Sequence, residues 1–235
     1  MQKTALSRRT ILCALLIFIA MPLTLWFGVR VLGDRQYYLI SVLLLLYTMV
    51  PFALVFERRR PQARELMLIA VLTALAVAGR GAFFMVPNFK PVAAIVILAG
   101  VGLGPESGFL VGALSGFVSN FFFGQGPWTP FQMFCFGMIG FLAGLLCRAG
   151  YPKKPLALTI YGGVATFFLY GGIMDLVSVL TIYGTLTKKT VLAAYAAGVS
   201  FNLIHAAASV VFLLVLTGPI LTKLDRVKKK YGLME

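Results

Sequence analysis

Residues 94–134 read AIVILAGVGLGPESGFLVGALSGFVSNFFFGQGPWTPFQMF. One apolar run ends at Gly-Pro-Glu-Ser (104–107). A second runs to Phe123, and a third starts after Gly-Gln-Gly-Pro-Trp-Thr-Pro (124–130). Each run is close to the ~20 residues that carry a helix across a bilayer, and Pro130 is well placed to open the third. Gly108, Gly112 and Gly116 recur every four residues, as do Gly140 and Gly144 just beyond. That spacing puts small residues on one helix face, the pattern of membrane helices in close contact.

The rest of the chain has the same character. Of its 235 residues 60% are hydrophobic and only 12% charged, where a soluble domain carries about a quarter charged residues. The mean hydropathy is +0.94. The fold class read from this is an all-α polytopic membrane protein. Eight spans are predicted, at about 11–32, 39–56, 65–83, 91–104, 106–123, 130–147, 155–183 and 190–218. The fourth is shorter than a full crossing, as helices inside a bundle can be. The stretch 7–20, SRRTILCALLIFIA, has the parts of a signal peptide but no small-residue cleavage site, and reads as a retained helix anchored by Arg8 and Arg9.

The net charge of +14 points away from nucleic acid in such a protein, because basic residues mark the cytoplasmic ends of membrane helices. Of the 21 Lys and Arg, 15 fall on the segments that share a side with both termini, five on the other side, and Arg80 lies within the third span. Both termini are therefore expected in the cytoplasm. The chain divides at ERRRPQARE (57–65). Residues 1–64 form a two-helix N-terminal transmembrane hairpin, and residues 65–235 a six-span block with a basic tail.

Several functions find no residues to carry them. There is no phosphate loop ending in Gly-Lys-Ser/Thr, no paired carboxylates, no nucleophile with a spaced base, and no broken-helix repeat of the kind secondary transporters use. Cys13, Cys135 and Cys147 lack metal-ligand or pairing spacing. No enzyme, metal or cofactor is expected. What remains is a binder that takes its energy from a partner, or a structural or assembly protein whose polar groups only hold the bundle together.

Ionisable and amide groups inside the bilayer mark candidate sites. Arg80 lies near the outer end of the third span, Asp175 in the seventh, and Asn202 and His205 share a face of the eighth. Asp175 either pairs with Arg80 or faces a ligand. His205 reads more readily as a core histidine than as a ligand group. Around the 124–132 loop, Asn120, Gln125 and Gln132 offer donors and acceptors, while Trp128 and residues 121–123 offer flat apolar faces. An interfacial aromatic belt accounts for Trp128 but not for three amides. Arg80, Asn120, Gln125, Trp128, Gln132, Asp175 and Asn202 are therefore the candidate substrate-binding set for a small organic ligand, with the 84–90 loop as a lid. Ala70, Ala74 and Ala78 make a smooth strip on the third span, serving either packing within the chain or docking of another membrane subunit.

With these residues in view, the six-span block 65–220 resembles the substrate-binding S components of energy-coupling factor (ECF) transporters. The resemblance rests on the strip Ala70/Ala74/Ala78, similar to that family's AxxxA contact, on the Gly-rich run 94–134, and on the short outer loop that follows it. It implies a six-helix S-component bundle that binds a vitamin or micronutrient from outside. It also implies association with a transmembrane coupling subunit and two cytoplasmic ATPase subunits, where ATP hydrolysis would take place, and toppling in the lipid bilayer to release cargo. The run FFFGQGPWTP looks most like S components assigned to cobalamin. Cobalamin is then a transported ligand rather than a cofactor, with Cys135 or His205 as conceivable cobalt contacts and packing as the commoner role for each. Residues 1–64 depart from the six-helix plan.

Overall fold

The computed structural model describes residues 15–27, 39, 42–43, 46–47, 63–183 and 187–232. The fold is all-α: 87% of the described residues are helical, with no strand among them. Helix α1 is π-helical over Leu16–Ala20 and α-helical over Met21–Phe27. The other helices are α2 (Ala63–Ala82), α3 (Val92–Leu103), α4 (Pro105–Phe123), α5 (Thr129–Arg148), α6 (Pro155–Ser178) and α7 (Lys188–Tyr231). A further π-helical turn, Val179–Tyr183, follows α6. Four of these, α2, α5, α6 and α7, are long and apolar enough to cross a membrane. The six predicted spans from 65 onward correspond to α2–α7. Of the N-terminal pair, 11–32 is described only over 15–27, and 39–56 lies outside the described residues but for five positions.

Helix α3 sits at the centre, and all twelve of its residues are buried. At 1.5 Å per residue it is about 18 Å long, well short of the ~30 Å hydrocarbon core, and it never faces lipid. Glycine lets α4 and α5 close on it. A Cβ on Gly108 would lie 2.6 Å from Gly100 Cα, and one on Gly140 would lie 2.5 Å from the Gly108 carbonyl oxygen. The small-residue spacing thus serves packing among α3, α4 and α5, and the α4–α5 contact is the most extensive in the fold. Gly104, at φ +104°, makes the single-residue reversal from α3 into α4, a conformation that a side chain disfavours.

At the basic end of the bundle Arg148, on the last turn of α5, donates to both carboxylate oxygens of Glu106 at 3.3 and 3.1 Å. Glu106 is 4% exposed. Arg148→Met should lower thermal stability by about 1–3 kcal/mol, because it strands a buried carboxylate. The double variant with Glu106→Gln should recover part of the loss, read as a melting-temperature difference among the variants.

One boundary is corrected. The eighth span was expected to end near 218, yet α7 continues through Pro219 to Tyr231, 44 residues in all. Its last turns find partners that a free tail would lack. Leu224 is buried against Gly102 of α3, and Lys228 Nζ donates to the Gly102 carbonyl at 2.6 Å. Arg64 at the start of α2 lies over the Tyr231 ring at 4.0 Å. Gly232, at φ +58°, ends the helix in the left-handed conformation that stops helices generally.

Candidate ligand-binding site

The end of the bundle away from the basic tail is closed by the loop 83–91. Aromatic contacts hold it down. Phe84 stacks on Phe123 at 5.6 Å, and both Phe83 and Phe89 meet Phe212. Lys90 gathers it from within, its ammonium donating to the carbonyls of Phe83, Val86 (2.6 Å) and Phe84 (3.2 Å). Asn88 takes the left-handed conformation at φ +55°, which asparagine tolerates better than most residues. Burial, and then the charge of Arg80, lower the Lys90 ammonium from its ordinary value.

Beneath the loop a chain of hydrogen bonds crosses four helices. Arg80 Nη1, on α2, donates to Ser119 Oγ at 2.5 Å and Asn120 Oδ1 at 2.8 Å on α4. Asn120 Nδ2 donates to Thr129 Oγ1 (3.1 Å) and Gln132 Oε1 (2.8 Å) on α5. Gln132 Nε2 donates in turn to the Tyr170 hydroxyl on α6 at 2.8 Å. The Arg80 guanidinium also lies 4.8 Å from the centre of the Phe123 ring. Every acceptor on Asn120 and donor on its amide is used, so a residue with no solvent exposure is kept without an orphaned polar group.

Tyr170 reaches this chain from a π-helical stretch, Ala165–Gly171, inside α6, a distortion that often marks functional positions. The same stretch brings Gly171 against Asn202 of α7, where a Cβ would stand 2.6 Å from the amide nitrogen. Asn202 Nδ2 donates to Asp175 Oδ2 at 2.7 Å. His205, one turn further along α7, meets Tyr170 edge-on at 4.7 Å and Phe136 at 6.2 Å.

These groups surround a cleft of two lobes. The larger, 350 Å³, lies between α6 and α7 and includes Asp175, Ser178, Asn202, Phe201 and Met174. The smaller, 90 Å³, includes Arg80, Lys90, Gln132 and Phe136. Asn88, Tyr170 and His205 line both lobes.

The structure thus brings Arg80, Asn120 and Gln132 into one network and Asp175 and Asn202 into another beside it. Arg80 and Asp175 do not form an ion pair with each other; each is held by an asparagine instead. Gln125 and Trp128 line neither lobe. Gln125 Nε2 donates to the Phe117 carbonyl at 3.1 Å, and the Trp128 ring covers Gly126 and is 42% exposed. Cys135 is buried and lines neither lobe, while His205 lines both. The 84–90 loop covers the cleft through Asn88 and Lys90. Sequence reasoning passed over Tyr170, Ser119, Thr129 and Asn88. Tyr170 lies five residues before the intramembrane carboxyl of Asp175, off its face in a regular helix, and Ser119 and Thr129 carry no signal either.

The alanines divide. Ala70, Ala74 and Ala78 are exposed along α2, beside exposed Leu66, Met67, Val71 and Leu75, whereas Ala76 is fully buried. The strip is therefore not used for packing among the described residues.

A family model described as "ECF transporter, substrate-specific component" matches residues 64–217. The chain belongs to this family. The matched region holds α2–α6, the cleft and most of α7. The chain is 32% identical over 111 residues to a UPF0397 protein of Vibrio atlanticus, a match covering 42% of this chain and 60% of that protein. The chain thus spans about 60% of the length of that curated relative. No solved structure matches. Its apolar helices and its family together make the substrate-specific component a protein of the cytoplasmic membrane.

Proposed function

We propose that this substrate-specific component captures a vitamin-type micronutrient from outside the cell, in the cleft beneath the 83–91 loop. It then delivers the ligand inward when joined to a transmembrane coupling subunit and two ATPase subunits. The observation that carries this reading is the pair of polar networks, Arg80–Asn120–Gln132–Tyr170 and Asp175–Asn202, converging on one cleft at the end opposite the basic tail. A structural protein has no need to line a cleft with a guanidinium, a carboxyl group and three amides. The basic end is then cytoplasmic, Arg80, Asp175 and Asn202 are ligand contacts, Asn120 and Gln132 orient them, and Gln125 and Trp128 form the rim. Residues 1–64 are an extension to this working unit.

The run FFFGQGPWTP favours cobalamin or a related corrinoid as cargo. The space of the cleft favours a second reading, a smaller vitamin or precursor, since 350 Å³ is at the low end for small-molecule pockets. A thermal-shift panel of vitamins on the detergent-solubilised chain separates them, because a ligand at ~100 times its Kd adds about 2.7 kcal/mol of stability. Stabilisation by a corrinoid supports the first, stabilisation by a compact vitamin the second, and no response to any member counts against a vitamin-binding role.

The exposed strip on α2 is the surface on which the coupling subunit would dock, since small side chains let two membrane helices approach closely. Ala74→Leu should leave the melting temperature and any ligand-induced shift unchanged while abolishing copurification of the coupling and ATPase subunits from co-expressing cells. Intact copurification would remove α2 from the docking surface.

A further inference from the structure

The two lobes of the cleft differ in charge. In the larger lobe the charged side chain is Asp175. Asn202 occupies its Oδ2 at 2.7 Å, and among the described residues nothing donates a hydrogen bond to its Oδ1. Gly198 makes room for the carboxyl itself, since a Cβ there would collide with Asp175 Oδ1 and stand 2.5 Å from Cγ. In the smaller lobe the charged side chains are Arg80 and Lys90, and no carboxyl group lines it. Tyr170 and His205 stand between the lobes with ring centres 4.7 Å apart.

A molecule that fills both lobes therefore meets an acceptor at one end, the Arg80 guanidinium and the charge of Lys90 at the other, and aromatic edges in the middle; Lys90 adds charge alone, its three N–H groups being held by loop carbonyls. A buried polar group left without a partner is costly, and this asymmetry rejects ligands that lack the matching group. We propose that the ligand is a compact dipolar ring compound. Its cationic or hydrogen-bond-donating end meets Asp175, and its anionic or strongly accepting end meets Arg80 within the field of Lys90. The ring lies against Tyr170 and His205, where flat faces and edges pair favourably. This inference rests on the cleft being the substrate site.

The test uses the full chain in detergent and melting temperature as readout. The probes are tryptophan, p-aminobenzoate, thiamine monophosphate and biotin, which carry both ends (the ureido N–H groups being the donors of biotin), and nicotinate, which carries only the acid. Thiamine carries only the cation, nicotinamide is neutral, and cyanocobalamin is included as the corrinoid. The largest shift is expected from a compound with both ends. Asp175→Asn and Arg80→Lys, the latter keeping a cation for Ser119 and Asn120 but removing the other guanidinium donors, should each weaken that compound about tenfold, the size of one charge-assisted hydrogen bond, while both variants keep the size-exclusion profile of the parent. If the largest shift comes instead from a single-ended, neutral or corrinoid probe, the dipolar assignment is overturned and the cleft stands as the site. A dipolar shift untouched by either substitution also overturns it, since the compound then binds elsewhere. If no probe shifts the protein, the reading of the cleft as a vitamin site fails as well.

Discussion

Gly140→Val is expected to yield no stable, monodisperse protein. Gly140 lies where α5 crosses α4 and α3, and a Cβ on it would stand 2.5 Å from the Gly108 carbonyl oxygen and 2.8 Å from Val96 Cγ1. The first obstacle is backbone, which cannot rotate away as a side chain would. Overpacking a filled core costs about 1–3 kcal/mol when side chains can yield, and here the helices themselves must separate. The loss should therefore reach or pass the top of that range. Gly172→Ala is the matched control: Gly172 is helical too, but its added Cβ meets nothing within 4 Å. It should be neutral or raise stability by up to about 1 kcal/mol, since alanine is the better helix former. Size-exclusion profiles and melting curves of the two variants decide the matter, and comparable behaviour of both would show that the tight crossing is not limiting.

Asn120→Ala should have the second largest effect, on stability and on ligand capture together. One side chain on α4 serves α2 and α5 at once, accepting from Arg80 and donating to Thr129 and Gln132. Truncation leaves a guanidinium short of an acceptor and Gln132 Oε1 short of a donor, while Thr129 Oγ1 keeps only the Gly126 amide. The unmet groups cost about 1–3 kcal/mol each in general, so a total of ~3 kcal/mol is a modest expectation. Arg80 also loses the contact that aims it, so affinity for the ligand identified by the vitamin panel should fall at least about tenfold, as expected when a charge-assisted hydrogen bond is lost. Gln125→Ala removes one hydrogen bond to the Phe117 carbonyl and should change stability by about 1 kcal/mol with little effect on binding. Equal effects of the two substitutions would place the 124–128 turn on the same footing as the network.

Most of the architecture was legible because membrane helices announce themselves by length and hydropathy. The breaks at Gly104 and 124–128 fall where Gly and Pro predict them, and the short fourth span is the buried α3. The glycine spacing translated directly into the α3–α4–α5 contact. The site was legible only in part. Arg80, Asp175 and Asn202 stood out because charge and amide groups are rare in such a chain, but pairing depends on rotation about each helix axis, which sequence spacing does not fix. Hence Arg80 and Asp175, natural partners by charge, turned to different asparagines. The π-helical stretch in α6 explains why Tyr170 was missed, since it shifts the residue's direction from that of a regular helix. The extension of α7 past Pro219 was hidden for a different reason: its support comes from Gly102 and Arg64, distant in sequence.

The length of α7 has a mechanical side. Its 44 residues make a rod of about 66 Å, anchored to α3 through Lys228 and to α2 through Tyr231. Asn202 and His205 sit on the part of this rod beside the cleft. A rod of that length acts as a lever, so that a tilt of roughly 10° moves its far end by about 11 Å at 1.5 Å rise per residue. A small closure around Asn202 and a large excursion at Tyr231 can thus be one movement. Because Tyr231 is clasped by Arg64, the excursion would pull first on the base of the helix that carries Ala70, Ala74 and Ala78.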